Sequence, residues 1–126
     1  PLTFCTVGED PFGGRLDESV KGKFVGKRAL LVLHLKDREQ IGNCQVLFLS
    51  AAEKKRQAEY LASAVRHAIL TVGETDNFTQ QGGIIGFFLE NNKVRFEINV
   101  DTAEKARLEI SSRLLLLAKN VLGSHT

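Results

Sequence analysis

Two cysteines, three histidines and six serines are the residues best suited by type to do chemistry in this chain, and their spacing decides what they can do. Cys5 lies in the apolar run Leu2–Val7, and Cys44 sits just before another, Val46–Leu49. If the first four strands take the common doubly wound order 2-1-3-4, the first and third are neighbours and the two thiols lie near adjacent strand starts. A bridge would close a loop of about 40 residues, worth about 4 kcal/mol in the chain-entropy model. Two unrelated buried thiols, packed as small hydrophobes, also fit this spacing. His34, His67 and His125 fall in a strand, a helix and the chain end, and none has a second ligand at metal spacing. No serine lies in a nucleophile-elbow pattern. The loop from Gly8 to Gly14 follows a strand but is neither a dinucleotide fingerprint nor a Walker sequence, so it reads as a turn. Hence neither a catalytic residue, a metal site nor a cofactor is expected.

One polar set remains. Arg95, Glu97 and Asn99 alternate with Val94, Phe96, Ile98 and Val100, and Arg113 follows. Such a stripe is ordinarily a solvated face or an internal salt-bridge ladder. It is also the chain's candidate binding surface, because arginine presents a planar fork to carboxylates and carbonyls.

The elements that must position these residues alternate between strand and helix type, the pattern of a sheet wrapped by helices. Strands are expected at Leu2–Val7, Ala29–Leu35, Val46–Leu49, Ile69–Val72, Ile84–Leu89 and Val94–Val100. The second and third are continuous apolar runs, as in strands buried on both faces. Glu90-Asn91-Asn92-Lys93 reads as a tight hairpin, since Asn tolerates left-handed backbone angles. Arg15–Lys23 suits a short helix. Ser50 with Glu53 forms a capping box before a helix carrying Ala58, Leu61, Val65 and Ala68 at helical spacing. Asp101 with Glu104 suggests another box. A last helix carries Leu114, Leu115, Leu117, Ala118 and Val121; either Ser111 or Ser112 caps it, or it runs on unbroken from Ala103. Gly8, Gly73, Gly82 and Gly83 punctuate the strands and serve backbone bends rather than a ligand. The expected class is α/β: a three-layer α/β/α sandwich, its sheet mostly parallel with a C-terminal antiparallel hairpin.

Size and charge narrow the function classes. The 126 residues, 43% hydrophobic and 25% charged, suit one globular domain spanning residues 1–126. No apolar run spans a membrane. The net charge is +2, and the basic residues are interleaved with acids, as in Glu53-Lys54-Lys55-Arg56, which argues against nucleic acid.

Several stretches resemble the YfiR-like family. They are Ile69-Leu70-Thr71-Val72-Gly73 followed by Phe78, Gly82-Gly83-Ile84-Ile85-Gly86-Phe87-Phe88-Leu89-Glu90, and Lys93-Val94-Arg95-Phe96-Glu97-Ile98-Asn99-Val100. Leu108-Glu109-Ile110-Ser111-Ser112-Arg113-Leu114-Leu115 resembles the family's closing motif, and Leu2–Gly8 and Gly42–Phe48 match in type and order. The resemblance implies a periplasmic, exported protein with an α/β/α sandwich fold and a homodimeric state. Its implied partner is the periplasmic part of an inner-membrane signalling protein, a diguanylate cyclase or a sensor kinase. It also implies that Cys5 and Cys44 are joined, as an oxidising compartment favours. A second cysteine pair known in the family falls on Thr79 and Gly86 here, so redox control through that pair is excluded. The chain begins at Pro1 and contains no Met; a signal peptide and a leading aromatic helix are expected to lie outside it. Without that helix, part of the sheet is expected to be bare and apolar. The alternative function is a small-molecule-binding sensor domain with a pocket at the sheet's switch point.

Overall fold

The structure is a computed structural model that describes residues 2–8, 14–36 and 38–123. The Asp10–Gly13 part of the first loop and His125 lie outside the described residues. The strands are β1 (Leu2–Val7), β2 (Phe24–Val25), β3 (Arg28–Leu35), β4 (Val46–Leu49), β5 (Leu70–Gly73), β6 (Ile85–Glu90), β7 (Lys93–Asn99) and β8 (Asn120–Leu122). They form one sheet in the order β2-β3-β1-β4-β5-β6-β7-β8. The strands β3, β1, β4, β5 and β6 are parallel neighbours, and β8 is parallel to β7. The pairs β2–β3 and β6–β7 are antiparallel. This is the expected α/β class, a mostly parallel sheet with an antiparallel hairpin, and the 2-1-3-4 order holds for the first four expected strands.

Helices cover both faces of the sheet. Successive strand residues alternate sides, and Val46 and Phe48 are level with Leu70 and Val72. Leu47 and Leu49 therefore point the opposite way from Leu70 and Val72. The first side packs under α2 (Gln57–Arg66), where Tyr60, Leu61 and Ala64 join Cys5, Leu47 and Leu49 in one buried core. The second side packs under α4 (Ser112–Leu117), where Leu114 and Leu115 meet Ile85, Ile98 and Phe96, while α3 (Val100–Lys105) lies beside α2. The short α1 (Arg15–Val20) precedes β2.

Four local expectations are corrected. The capping box at Ser50 does not open the α-helix. A 3-10 helix runs from Ala51 to Arg56, Glu53 leaves helical angles (φ −98, ψ 18), and α2 starts at Gln57. The buried stripe of α2 accordingly falls on Gln57, Tyr60, Leu61 and Ala64, while Ala58 is exposed. The cap of α3 is Asn99 rather than Asp101: its Oδ1 accepts from the Thr102 amide at 3.0 Å, and Asp101 sits inside the first turn. Val121 is not helical. The chain turns at Ala118, the Lys119 amide donates to the Phe96 carbonyl at 2.8 Å, and Val121 pairs with Ile98 in β8. An open β7 edge offers backbone partners that no local periodicity registers. The alternatives left open by the last segment resolve to a broken helix capped by Ser111, whose Oγ accepts from the Leu114 amide at 3.2 Å.

Candidate functional site

Cys5 and Cys44 are joined by a disulfide, with Cα atoms 5.9 Å apart and both residues buried. The bond pins the start of β4 to the middle of β1. Beside it, the Gln45 amide donates to the Thr3 carbonyl at 3.0 Å. It is therefore part of the core's frame rather than of an exposed surface.

The polar stripe of β7 divides. Glu97 turns inward: its Oε1 accepts from Thr79 Oγ1 at 2.7 Å and its Oε2 from Asn120 Nδ2 at 3.3 Å. Asn99 caps α3 with its oxygen and donates Nδ2 to the Thr79 carbonyl at 2.8 Å. Both side chains thus fasten the loop of residues 74–83 to β7. Arg95 shares their side of the strand, lies opposite Phe88 and is exposed. Arg113 is also exposed, but it stands on α4, which packs against the side carrying Phe96 and Ile98. The structure does not bring Arg113 into the stripe.

The glycines explain why the 74–83 loop can lie so close. A Cβ on either Gly73 or Gly83 would overlap the ring of the buried Phe78, so the ring is held between two bare backbones. Gly82 and Gly8 take positive φ, 105 and 86, as bends require. On the α2 side the loop is tied by Gln57, which accepts from Thr75 Oγ1 at 2.7 Å and donates to Gln81 Oε1 at 3.0 Å. Burying a glutamine this way is tolerable because its amide is bonded at both ends. Thr79 and Gly86 are neighbours: a Cβ on Gly86 would stand 3.3 Å from Thr79 Cγ2.

One constellation escaped the sequence reading. Thr6 Oγ1 is hydrogen-bonded to His34 Nδ1 at 2.6 Å, and His34 Nε2 stands 3.1 Å from both carboxylate oxygens of Asp17. With the proton on Nε2 facing the carboxylate, the three groups have the order of a hydrolase triad. Thr6 is only 1% exposed, so no substrate carbonyl reaches its hydroxyl. The chain of bonds instead ties α1 to β3 and β1. Only the register that sets Thr6 level with His34 could have revealed it.

A family model described as YfiR/HmsC-like matches residues 1–119. The chain belongs to the YfiR/HmsC-like family. That family is one of periplasmic regulators in general. No helix among the described residues of this YfiR/HmsC-like chain is long and apolar enough to cross a membrane. No curated protein matches it. Among solved structures it is similar to a conserved domain protein of Vibrio cholerae O1 biovar El Tor, with TM-score 0.71 and 11% identity over 94% of this chain and 54% of that one. It is also similar to an ABC domain of Streptococcus pneumoniae solved in complex with L-Trp, with TM-score 0.66 and 9% identity over 96% of this chain and 55% of that one. At these identities the likeness shows the fold alone. The chain spans about half the length of both structures.

Proposed function

We propose that this chain is a periplasmic binding protein that restrains a membrane-bound diguanylate cyclase by contacting its periplasmic part, and so lowers cyclic-di-GMP signalling. The observation that carries the reading is the family match over residues 1–119. The division of the β7 stripe agrees with it. Glu97 and Asn99 are spent on internal bonds, whereas Arg95 is exposed and forms no ion pair among the described residues, so it can meet a carboxylate or carbonyl of a partner. Arg113 would serve a separate contact on the opposite side of the sheet. Residues 1–126 act as one domain in this reading, exported by a leader outside the sequence given, and a homodimer is its working form.

The test is recovery of the partner. Tagged protein in the periplasm, crosslinked and purified from membrane extracts, should bring down a diguanylate cyclase, and its removal should raise cellular cyclic-di-GMP. If no membrane protein is recovered and cyclic-di-GMP stays level, the reading fails. The alternative, a small-molecule-binding sensor, draws on the fold shared with a domain solved with L-Trp. It predicts a rise in melting temperature with a small metabolite, L-tryptophan being the first to try, and no need for a protein partner.

A further inference from the structure

The hairpin of β6 and β7 outruns the strand beside it. Only Ile85 and Gly86 of β6 pair with β5, level with Val72 and Gly73. From Phe87 to Glu90, β6 pairs only with β7 among the described residues. Its other edge is open there, a row of four residues about 13 Å long at strand rise, with alternate amides and carbonyls directed outward.

Two further features mark this edge. The register sets Phe87 opposite Phe96 and Leu89 opposite Val94, so all four lie on one side of the arm. Leu89 is 73% exposed, Val94 68% and Phe87 38%. The chain leaving β5 then carries Glu74 and Asp76 past the same edge. These two acids, with Phe87, Phe88, Leu89 and Val94, line a notch of about 490 Å³. Both acids are exposed, and neither forms an ion pair among the described residues. Unpaired backbone, an apolar flank and a negative rim therefore meet in one place.

We propose that the free β6 edge is a docking site for an extended segment of a partner protein that combines apolar and cationic residues. The segment adds a strand in line with β5, hydrogen-bonds along Phe87–Glu90 and lays alternate apolar side chains beside Leu89 and Val94. It sets a lysine or arginine against Glu74 and Asp76. Strand addition of this kind takes affinity from the main chain and specificity from alternate side chains. The negative rim repels nucleic acid and anionic lipid, and an open row of four residues suits an extended chain better than a compact ligand. The open part of β3, from Leu31 to Leu35, is the rival edge, but there Asp17 is already paired with His34. The proposal rests on the reading of this chain as a partner-binding regulator and names the surface it uses.

The probe is a short labelled peptide of alternating valine and lysine, titrated into the whole chain. Its controls are the same peptide methylated on alternate backbone nitrogens and a valine–glutamate counterpart. Saturable binding is expected, at least about tenfold tighter than either control. Leu89→Asp and the double variant Glu74→Lys/Asp76→Lys should each weaken it at least about tenfold, while Leu33→Asp on β3 should leave it unchanged. Amide exchange at Phe87–Glu90 should slow when the peptide is bound. Absence of binding, equal binding of the methylated peptide, or loss with Leu33→Asp alone would overturn the proposal. A cyclase recovered by crosslinking while the peptide fails to bind would remove the edge and leave the regulatory reading standing.

Discussion

The β1–β4–β5 region and the β6–β7 arm belong to one sheet but are built to opposite rules. In the first, every strand has neighbours on both sides, Leu47 is 0% exposed, and a disulfide crosses two parallel strands. In the second, two antiparallel strands run beyond their neighbours with Leu89 and Val94 in solvent. The parallel strands had to be buried, because their crossovers place α2 and the loops on the faces. The arm needs only its own turn, where Asn91 and Asn92 take φ 53 and 64, to hold its register. Burial is thus deepest in the central strands, and it falls away along the arm beyond Gly86.

The comparison predicts a descending series of effects on unfolding free energy, measured by denaturant titration. Replacing Cys5 and Cys44 together by alanine removes a constraint across a sequence separation of 39 and should cost about 4 kcal/mol. Leu47→Ala should cost about 3 kcal/mol, from lost burial plus the cavity left behind. Gly83→Ala, which drives a Cβ into the Phe78 ring, should cost about 2 kcal/mol and loosen the 74–83 loop, seen as faster amide exchange there. Asn99→Ala should cost about 1 kcal/mol, because it removes the cap of α3. Leu89→Ser, in the arm, should stay within about 0.5 kcal/mol of the parent. A Leu89→Ser loss as large as that of Leu47→Ala would make the arm part of the core and end the contrast. Native-state exchange sharpens it: amides of β4 should open only with the whole molecule, those of Phe87–Glu90 far more readily.

Much of the fold was legible beforehand because it is written locally. The bounds of Leu2–Val7 and Val46–Leu49 hold to the residue, since a run of apolar and β-branched residues closed by Gly8, and an apolar run closed by Ser50, leave little choice. The Asn91-Asn92 turn was legible for the same reason. Ser50 and Asp101 misled because a capping sequence states a preference, and competing partners decide whether it is used. For Asp101 the competitor was Asn99, two residues earlier. Val121 misled because leucine-rich helical spacing continued past the point where β7 supplied a better backbone partner.

The candidate site was legible in type but not in direction. The alternation along β7 put Arg95, Glu97 and Asn99 on one side of the strand, as found. That Glu97 and Asn99 would turn to Thr79 depended on a loop folding back across 18 to 20 residues, and that fold depended on a phenylalanine ring fitting between Gly73 and Gly83.

The alternation of strands and helices, the hairpin turn and the presence of just two cysteines were open to the residues alone, because periodicity, turn chemistry and composition act over a few residues at a time. Which polar side chains stay exposed, that Thr6 meets His34, which faces Asp17, and that β6 keeps an open edge beside two acids were settled by the folded sheet. Those outcomes rest on register and strand length across the sheet, where partners far apart in the chain compete for the same backbone and space.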